Sequence, residues 1–216
     1  MKISPTLTEV KEIAKTGKYD ILPVSCEILS DFITPIEAMR ILQNVSTHCY
    51  LLESAQANEA WGRYTFLGYD PKLEINCIDG HMKLGKLSVE TENPSEYIRQ
   101  ILSEYKSPKF DYLPSFTGGL VGYFSYDYLG YKEKSIRGKA RDTEDFKDVD
   151  LMLFDKVIAF DNLCQKIILI ANMSLDAPET GYNKAIVELK QLRELLMHGE
   201  KKQNMGGKLL GEVTPL

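Results

Sequence analysis

Two short segments of the sequence put polar groups where a strand would otherwise stay apolar. Leu51-Leu52-Glu53-Ser54 sets a carboxylate and a hydroxyl at the end of an apolar run. A small zwitterionic ligand uses such a pair. The Ser54 hydroxyl and nearby backbone N–H groups can bond a ligand carboxylate, Glu53 or a strand-end carbonyl can take an ammonium, and Leu51 or Leu52 can line an apolar slot. The same residues also suit a solvated strand end. The second segment is Arg63-Tyr64-Thr65-Phe66. The planar guanidinium of Arg63 can clamp a carboxylate at two points, or serve in a surface ion pair.

Other chemistry finds little support. The sequence has no P-loop, dinucleotide-binding glycine fingerprint, nucleophile elbow, metalloprotease helix or calcium-binding loop. Thr117-Gly118-Gly119-Leu120-Val121-Gly122 could cradle a phosphate, but it lacks the lysine. It also runs on into Tyr123, Phe124 and Tyr126, which read as strand, so a bulge or close sheet packing is the plainer reading. His48, His81 and His198 are far apart, and Cys26, Cys49, Cys77 and Cys164 form no CxxC pair. No metal site is expected, and the cysteines read as buried free thiols in a reducing cytoplasm.

The elements that must position these residues are legible from periodicity. Leu7, Val10, Ile13 and Ala14 form a helical stripe capped by Thr6 or Thr8 and ended by Gly17. Residues 23–31 read as a strand. Thr34-Pro35-Ile36-Glu37 carries a capping box with proline at the first helical position, opening a helix to about Asn44 that buries Ile36, Met39 and Leu42. Strands are expected over 48–54, 63–68 and 73–78, with Asp79-Gly80 as a hairpin turn into 81–85. A helix opens at Asn93-Pro94 with Tyr97, Ile98, Ile101, Leu102 and Tyr105 on one face. Gly118–Asp127 reads as a glycine-bearing strand and 128–148 as a long loop. Two apolar runs, 151–160 and 166–171, form a hairpin about Asp161-Asn162. A last helix starts near Pro178 and buries Tyr182, Ile186, Leu189, Leu192 and Leu196.

The expected class is therefore α+β, with hairpin-joined strands and about four peripheral helices. The chain has 216 residues, 44% hydrophobic and 26% charged, with a formal net charge of -5. That is enough chain to bury a core without metal or disulfide. The mixed, mildly acidic charge leaves no footprint for nucleic acid or an anionic membrane. No apolar run approaches the roughly 20 residues that cross a bilayer, and no secretory leader is visible. Residues 1–198 read as one domain. Residues 199–216, with Gly199, Gly206, Gly207 and Gly211 among lysines, have linker composition.

These residues resemble a known family. Cys49–Ser54, then Gly62-Arg63-Tyr64-Thr65-Phe66-Leu67-Gly68 and Asp70-Pro71, resemble the N-terminal region of anthranilate synthase component I. Asp31-Phe32-Ile33-Thr34-Pro35-Ile36, Gly118–Asp127 and Asp150–Asp161 agree with further blocks of that family in order and spacing, so the resemblance covers about 20–175. Two stretches depart from the pattern: Tyr128–Lys134 is only loosely similar, and Asn162 stands where a histidine is common. The first component of aminodeoxychorismate synthase shares the architecture and is the alternative. The intact Arg63–Gly68 segment after Leu-Leu-Glu-Ser favours the anthranilate enzyme. A stand-alone interaction module, docking on a chorismate-using or amidotransferase subunit, is the other alternative.

The resemblance implies antiparallel sheets packed as a sandwich with helices outside. It implies an enzyme that converts chorismate and ammonia to anthranilate and pyruvate with Mg²⁺, the ammonia coming from a glutamine amidotransferase subunit. The chorismate and Mg²⁺ residues belong to a C-terminal catalytic domain with no counterpart in this sequence. No catalytic or metal residue is therefore carried over, and the chain alone is expected to be inactive. The resemblance does imply much of an L-tryptophan feedback site, the rest of which belongs to the catalytic domain. Its serine matches Ser54, with Glu53 and Leu52 as neighbours.

Overall fold

A threonine placed three residues before a glutamate opens each of the first two helices. The structure, a computed structural model, describes residues 1–53, 62–133, 135 and 146–202. Thr6 caps helix α1 (Leu7–Lys15), accepting from the Glu9 N–H while Glu9 bonds back to the Thr6 N–H. Thr34 does the same with Glu37 at α2 (Pro35–Val45), where Pro35 sits at the helix start. Each box satisfies N–H groups that the helix itself cannot. The α2 face differs from the expectation in one respect. Ala38, Ile41 and Leu42 are buried, Met39 packs beside them, and Ile36 is exposed. The buried stripe follows the i, i+3, i+4 row from Ala38, and Ile36 lies off it.

The chain begins with β1 (Ile3–Ser4), α1 and β2 (Ile21–Leu29), then α2 and β3 (Cys49–Leu52). β4 (Tyr64–Tyr69), β5 (Leu73–Ile78), β6 (His81–Leu84) and β7 (Leu87–Glu90) follow, then α3 (Pro94–Ser103) and β8 (Gly119–Phe124). After a 3-10 turn (Tyr126–Tyr131) come β9 (Val149–Phe154), β10 (Lys156–Asp161), β11 (Lys166–Ser174) and α4 (Pro178–His198). The strands form two sheets, one ordered β1-β2-β11-β10-β4-β3 and one ordered β7-β6-β5-β9-β8. Every pairing is antiparallel, and the class is α+β.

The apolar run 151–160 does not stay in one sheet. It breaks at Asp155, so β9 pairs with β5 in the second sheet and β10 pairs with β4 in the first. The partner strand makes the same turn through 70–72. A two-stranded ribbon thus bends from one sheet into the other. Lys156 reaches Asp70 across the bend at 2.7 Å, and Asn172 donates to the Asp155 carbonyl at 3.0 Å.

Helices α1, α2 and α4 cover one face of the first sheet. Val10, Ala38, Ile41, Leu42, Leu189 and Leu192 join Val24, Leu67, Ile158 and Leu169 in that core. Of the expected α4 stripe, Tyr182, Leu189, Leu192 and Leu196 are buried and Ile186 flanks them. On the opposite face Leu113 and Phe116 pack on Val157, Ala159, Ile168 and Ile170. α3 lays Ile98 on Ile75, Cys77 and Met82 of the second sheet. Leu102, expected on that face, is exposed.

The stretch expected as a loop begins with the 3-10 turn, which is tied down. Tyr131 donates to Asp148 at 2.7 Å and accepts from the Gly80 N–H at 2.6 Å, while the Asp79 N–H bonds the same Asp148 oxygen at 2.9 Å. Residues 203–216, most of the expected linker, lie outside the described residues. Its first residues fold back on α2: Asn44 donates to the Glu200 carbonyl and the Lys202 N–H to the Arg40 carbonyl.

Candidate functional site

Among the described residues β3 is an edge strand of the first sheet, and it ends at Leu52, the second leucine of the Leu-Leu-Glu-Ser segment. Tyr50 pairs with Gly68 of β4, Leu51 with Leu67 and Leu52 with Phe66. Alternation sets Tyr50, Leu52, Tyr64 and Phe66 on the face away from the helices, and Cys49, Leu51 and Leu67 on the helical face. Leu51 is therefore part of the core packing, and Leu52 is the leucine open to a ligand, 48% exposed. Behind it stands a row of rings. Phe116 meets Phe66 edge-on at 5.6 Å, and Phe66 lies 5.8 Å from Tyr64. Glu53 follows in the chain and is exposed. Ser54 lies outside the described residues.

Arg63 opens β4 at the same end of the sheet, and its guanidinium is already engaged. Nε donates to Asp161 Oδ1 at 3.1 Å and Nη2 to Asp161 Oδ2 at 2.7 Å. The Asp161 side chain is completely buried, whereas that of Arg63 is 36% exposed. Two backbone N–H groups of the β10–β11 turn, those of Leu163 and Cys164, also bond Asp161 Oδ1. Burial opposes ionisation of Asp161, but the bonds from Arg63 and the Cys164 N–H outweigh it and hold its pKa below the ordinary carboxylate range. Arg63 also lies over the Tyr64 ring, 4.9 Å from its centre. The pair is neither a surface contact nor an open fork. Nη1 is the nitrogen that no described residue takes.

Two residues of this end were not singled out by sequence reasoning. Asp161 read only as a turn residue, because its partner is 98 positions away. Tyr50 read only as part of an apolar run. Its ring packs edge-on against Phe154, 4.7 Å away at the corner between the sheets, and its hydroxyl is buried with no hydrogen-bond partner among the described residues.

The glycines of 117–122 serve close packing. Gly122 has φ 152°, and a side chain there would run into the Asp150 carbonyl of β9. A 3-10 turn rather than an α-helix follows β8, so the loop does not lead into a helix N-terminus as a phosphate cradle would. Cys26 and Cys77 are buried and Cys49 half-buried, but Cys164 is exposed at the β10–β11 turn, contrary to expectation. Among the described residues no three metal-binding side chains lie together, and no helix is long and apolar enough to cross a membrane. A cavity of 470 Å³ lined by Ser25, Cys26, Tyr112 and Leu113 lies at β1–β2, the opposite edge of the sheet from Leu52.

No protein-family model matches the chain. Individual proteins do. Anthranilate synthase component 1 of Acetivibrio thermocellus is 34% identical over 198 residues, 89% of this chain and 39% of that protein. The Pseudomonas aeruginosa protein of the same name is 36% identical over 196 residues, 87% of this chain and 39% of its own length. The chain is homologous to part of anthranilate synthase component I. It spans about two fifths of the curated relatives it matches. The crystal structure of anthranilate synthase component I from Streptococcus pneumoniae superposes with a TM-score of 0.50 at 25% identity, covering 77% of this chain and 36% of that one. The likeness to anthranilate synthase thus extends from the sequence blocks to the two-sheet framework that carries them.

Proposed function

We propose that this chain is the N-terminal regulatory region of an anthranilate synthase component I, that it contributes the L-tryptophan feedback site, and that it has no turnover by itself. One observation carries the reading. Among the described residues an edge strand ends at exposed Leu52, which stands on a face of aromatic rings, with Glu53 next in the chain. Tryptophan needs an apolar wall for its indole and a few polar groups for its zwitterion. Leu52 and Phe66 suit the indole, Glu53 the ammonium, and Ser54 with Arg63 the carboxylate. Feedback follows if tryptophan binds the inactive arrangement of the whole enzyme more tightly than the active one.

On this reading the enzyme acts in the cytoplasm. The partners are the chorismate-processing domain, where Mg²⁺ would bind, and a glutamine amidotransferase subunit. Calorimetric titration tests the ligand, with this region joined to the chorismate-processing domain that completes the site. L-Tryptophan should bind saturably, L-phenylalanine and D-tryptophan should not, and Ser54→Phe should abolish the heat. Absence of any heat with L-tryptophan overturns the reading. A fluorescence assay for anthranilate with chorismate, ammonia and Mg²⁺ should stay at background, and formation of product would overturn the claim of inactivity.

A further inference from the structure

Asp161 is a buried carboxylate that the tryptophan reading leaves without a task. Burying a charge is costly unless it is paired and its lone pairs are filled. Here both conditions are met by an unusual set of donors. Arg63 supplies two, and the backbone N–H groups of Leu163 and Cys164 supply two more. The backbone donors are fixed by the β10–β11 turn, so the carboxylate cannot rotate with its arginine. The Arg63 backbone is held as well, because its carbonyl accepts from the Asn162 N–H at 2.9 Å. The Tyr64 ring lies under the guanidinium. Main chain, side chain and ring together fix the plane of the guanidinium and leave Nη1 as the nitrogen that no described residue takes.

A free arginine at a strand end would have to give up many rotamers to meet a ligand carboxylate. An arginine already clamped along its other edge would not, and such preorganisation is a source of affinity. We propose that Asp161 is a positioning residue, which holds Arg63 so that its outer edge meets the carboxylate of the bound amino acid at the end of β3. The proposal rests on the tryptophan reading above and adds to it the residue that aims the arginine.

The test is a double-mutant cycle on the full chain. L-Tryptophan is titrated calorimetrically into wild type, Asp161→Asn, Arg63→Ala and the double variant, with thermal melts of each as a folding control. If Asp161 acts only through Arg63, Asp161→Asn weakens binding about tenfold, Arg63→Ala weakens it by a similar factor, and the double variant loses nothing further. A purely structural role would show instead as affinity lost only in step with the folded fraction read by the melts. Should Asp161→Asn fail to fold, Arg63→Lys carries the test: it keeps both charges but loses the two-point fork, and unchanged affinity overturns the proposal. Wild type that binds no tryptophan overturns the feedback reading itself. Wild type that binds, with Asp161→Asn equal to it or additive with Arg63→Ala, overturns only the positioning role.

Discussion

The Tyr50 ring lies directly over Gly68, its partner across the β3–β4 pair, and occupies the space a side chain at 68 would need. Gly68→Ala should therefore push the ring out of its contacts with Phe154 and Phe116. Overpacking of this kind costs about 1–3 kcal/mol. Urea denaturation should show a lower midpoint with an unchanged slope.

Tyr50→Phe should go the other way. The hydroxyl is buried with no partner among the described residues, so its removal takes away a desolvation penalty and leaves the ring packing intact. Stability should be unchanged or raised by about 1 kcal/mol. A clear loss of stability would mean that the hydroxyl has a partner such as an ordered water.

The Arg63–Asp161 pair makes stability depend on acid in a defined sense. The folded pKa of Asp161 is depressed, so its contribution is present above the unfolded carboxylate value and is lost as pH falls through the folded one. Asp161→Asn should cost about 3 kcal/mol at neutral pH, the low end for breaking a buried pair, because Arg63 keeps some solvent. The stability difference from wild type should shrink below about pH 4. A difference independent of pH would contradict the ionised pair.

Tyr131→Phe should loosen the β5–β6 turn. It removes a donor to Asp148 and leaves the Gly80 N–H without its acceptor. The expected cost is about 1–3 kcal/mol. Hydrogen exchange should show faster exchange at Asp79 and Gly80 and little change in α4.

Thiol chemistry should follow burial. Cys164 should react first with an aromatic disulfide reagent, Cys49 more slowly, and Cys26 and Cys77 only on unfolding. Burial pushes the Cys26 thiol up to about 11, so almost none of it is thiolate at neutral pH. Fast labelling of Cys26 in the native protein would contradict its place in the core.

What the sequence made legible was local. The Thr34–Glu37 capping box, the Asp79-Gly80 turn and most of the α4 stripe depend on residues a few positions apart and were found where the pattern put them, while the Thr6–Glu9 box at α1 settles a cap that the pattern had left between Thr6 and Thr8. The break at Asp155 was not legible. The apolar run continues through it, and only the pairing of each half with a different strand reveals the bend. The same limit applied at the candidate site. The strand end at Leu52 could be read from polarity. The engagement of Arg63 by Asp161 and of Tyr50 by Gly68 could not, because each is made by sheet register between segments distant in the chain or facing across a strand pair.

The bent ribbon has a bearing on how this piece of chain can be divided or inherited. β4 runs on into β5 and β9 into β10, so a cut between the sheets would sever two strands and strip partners from both halves. Any such cut must break both arms of the ribbon at once, one at 70–72 and one at Asp155.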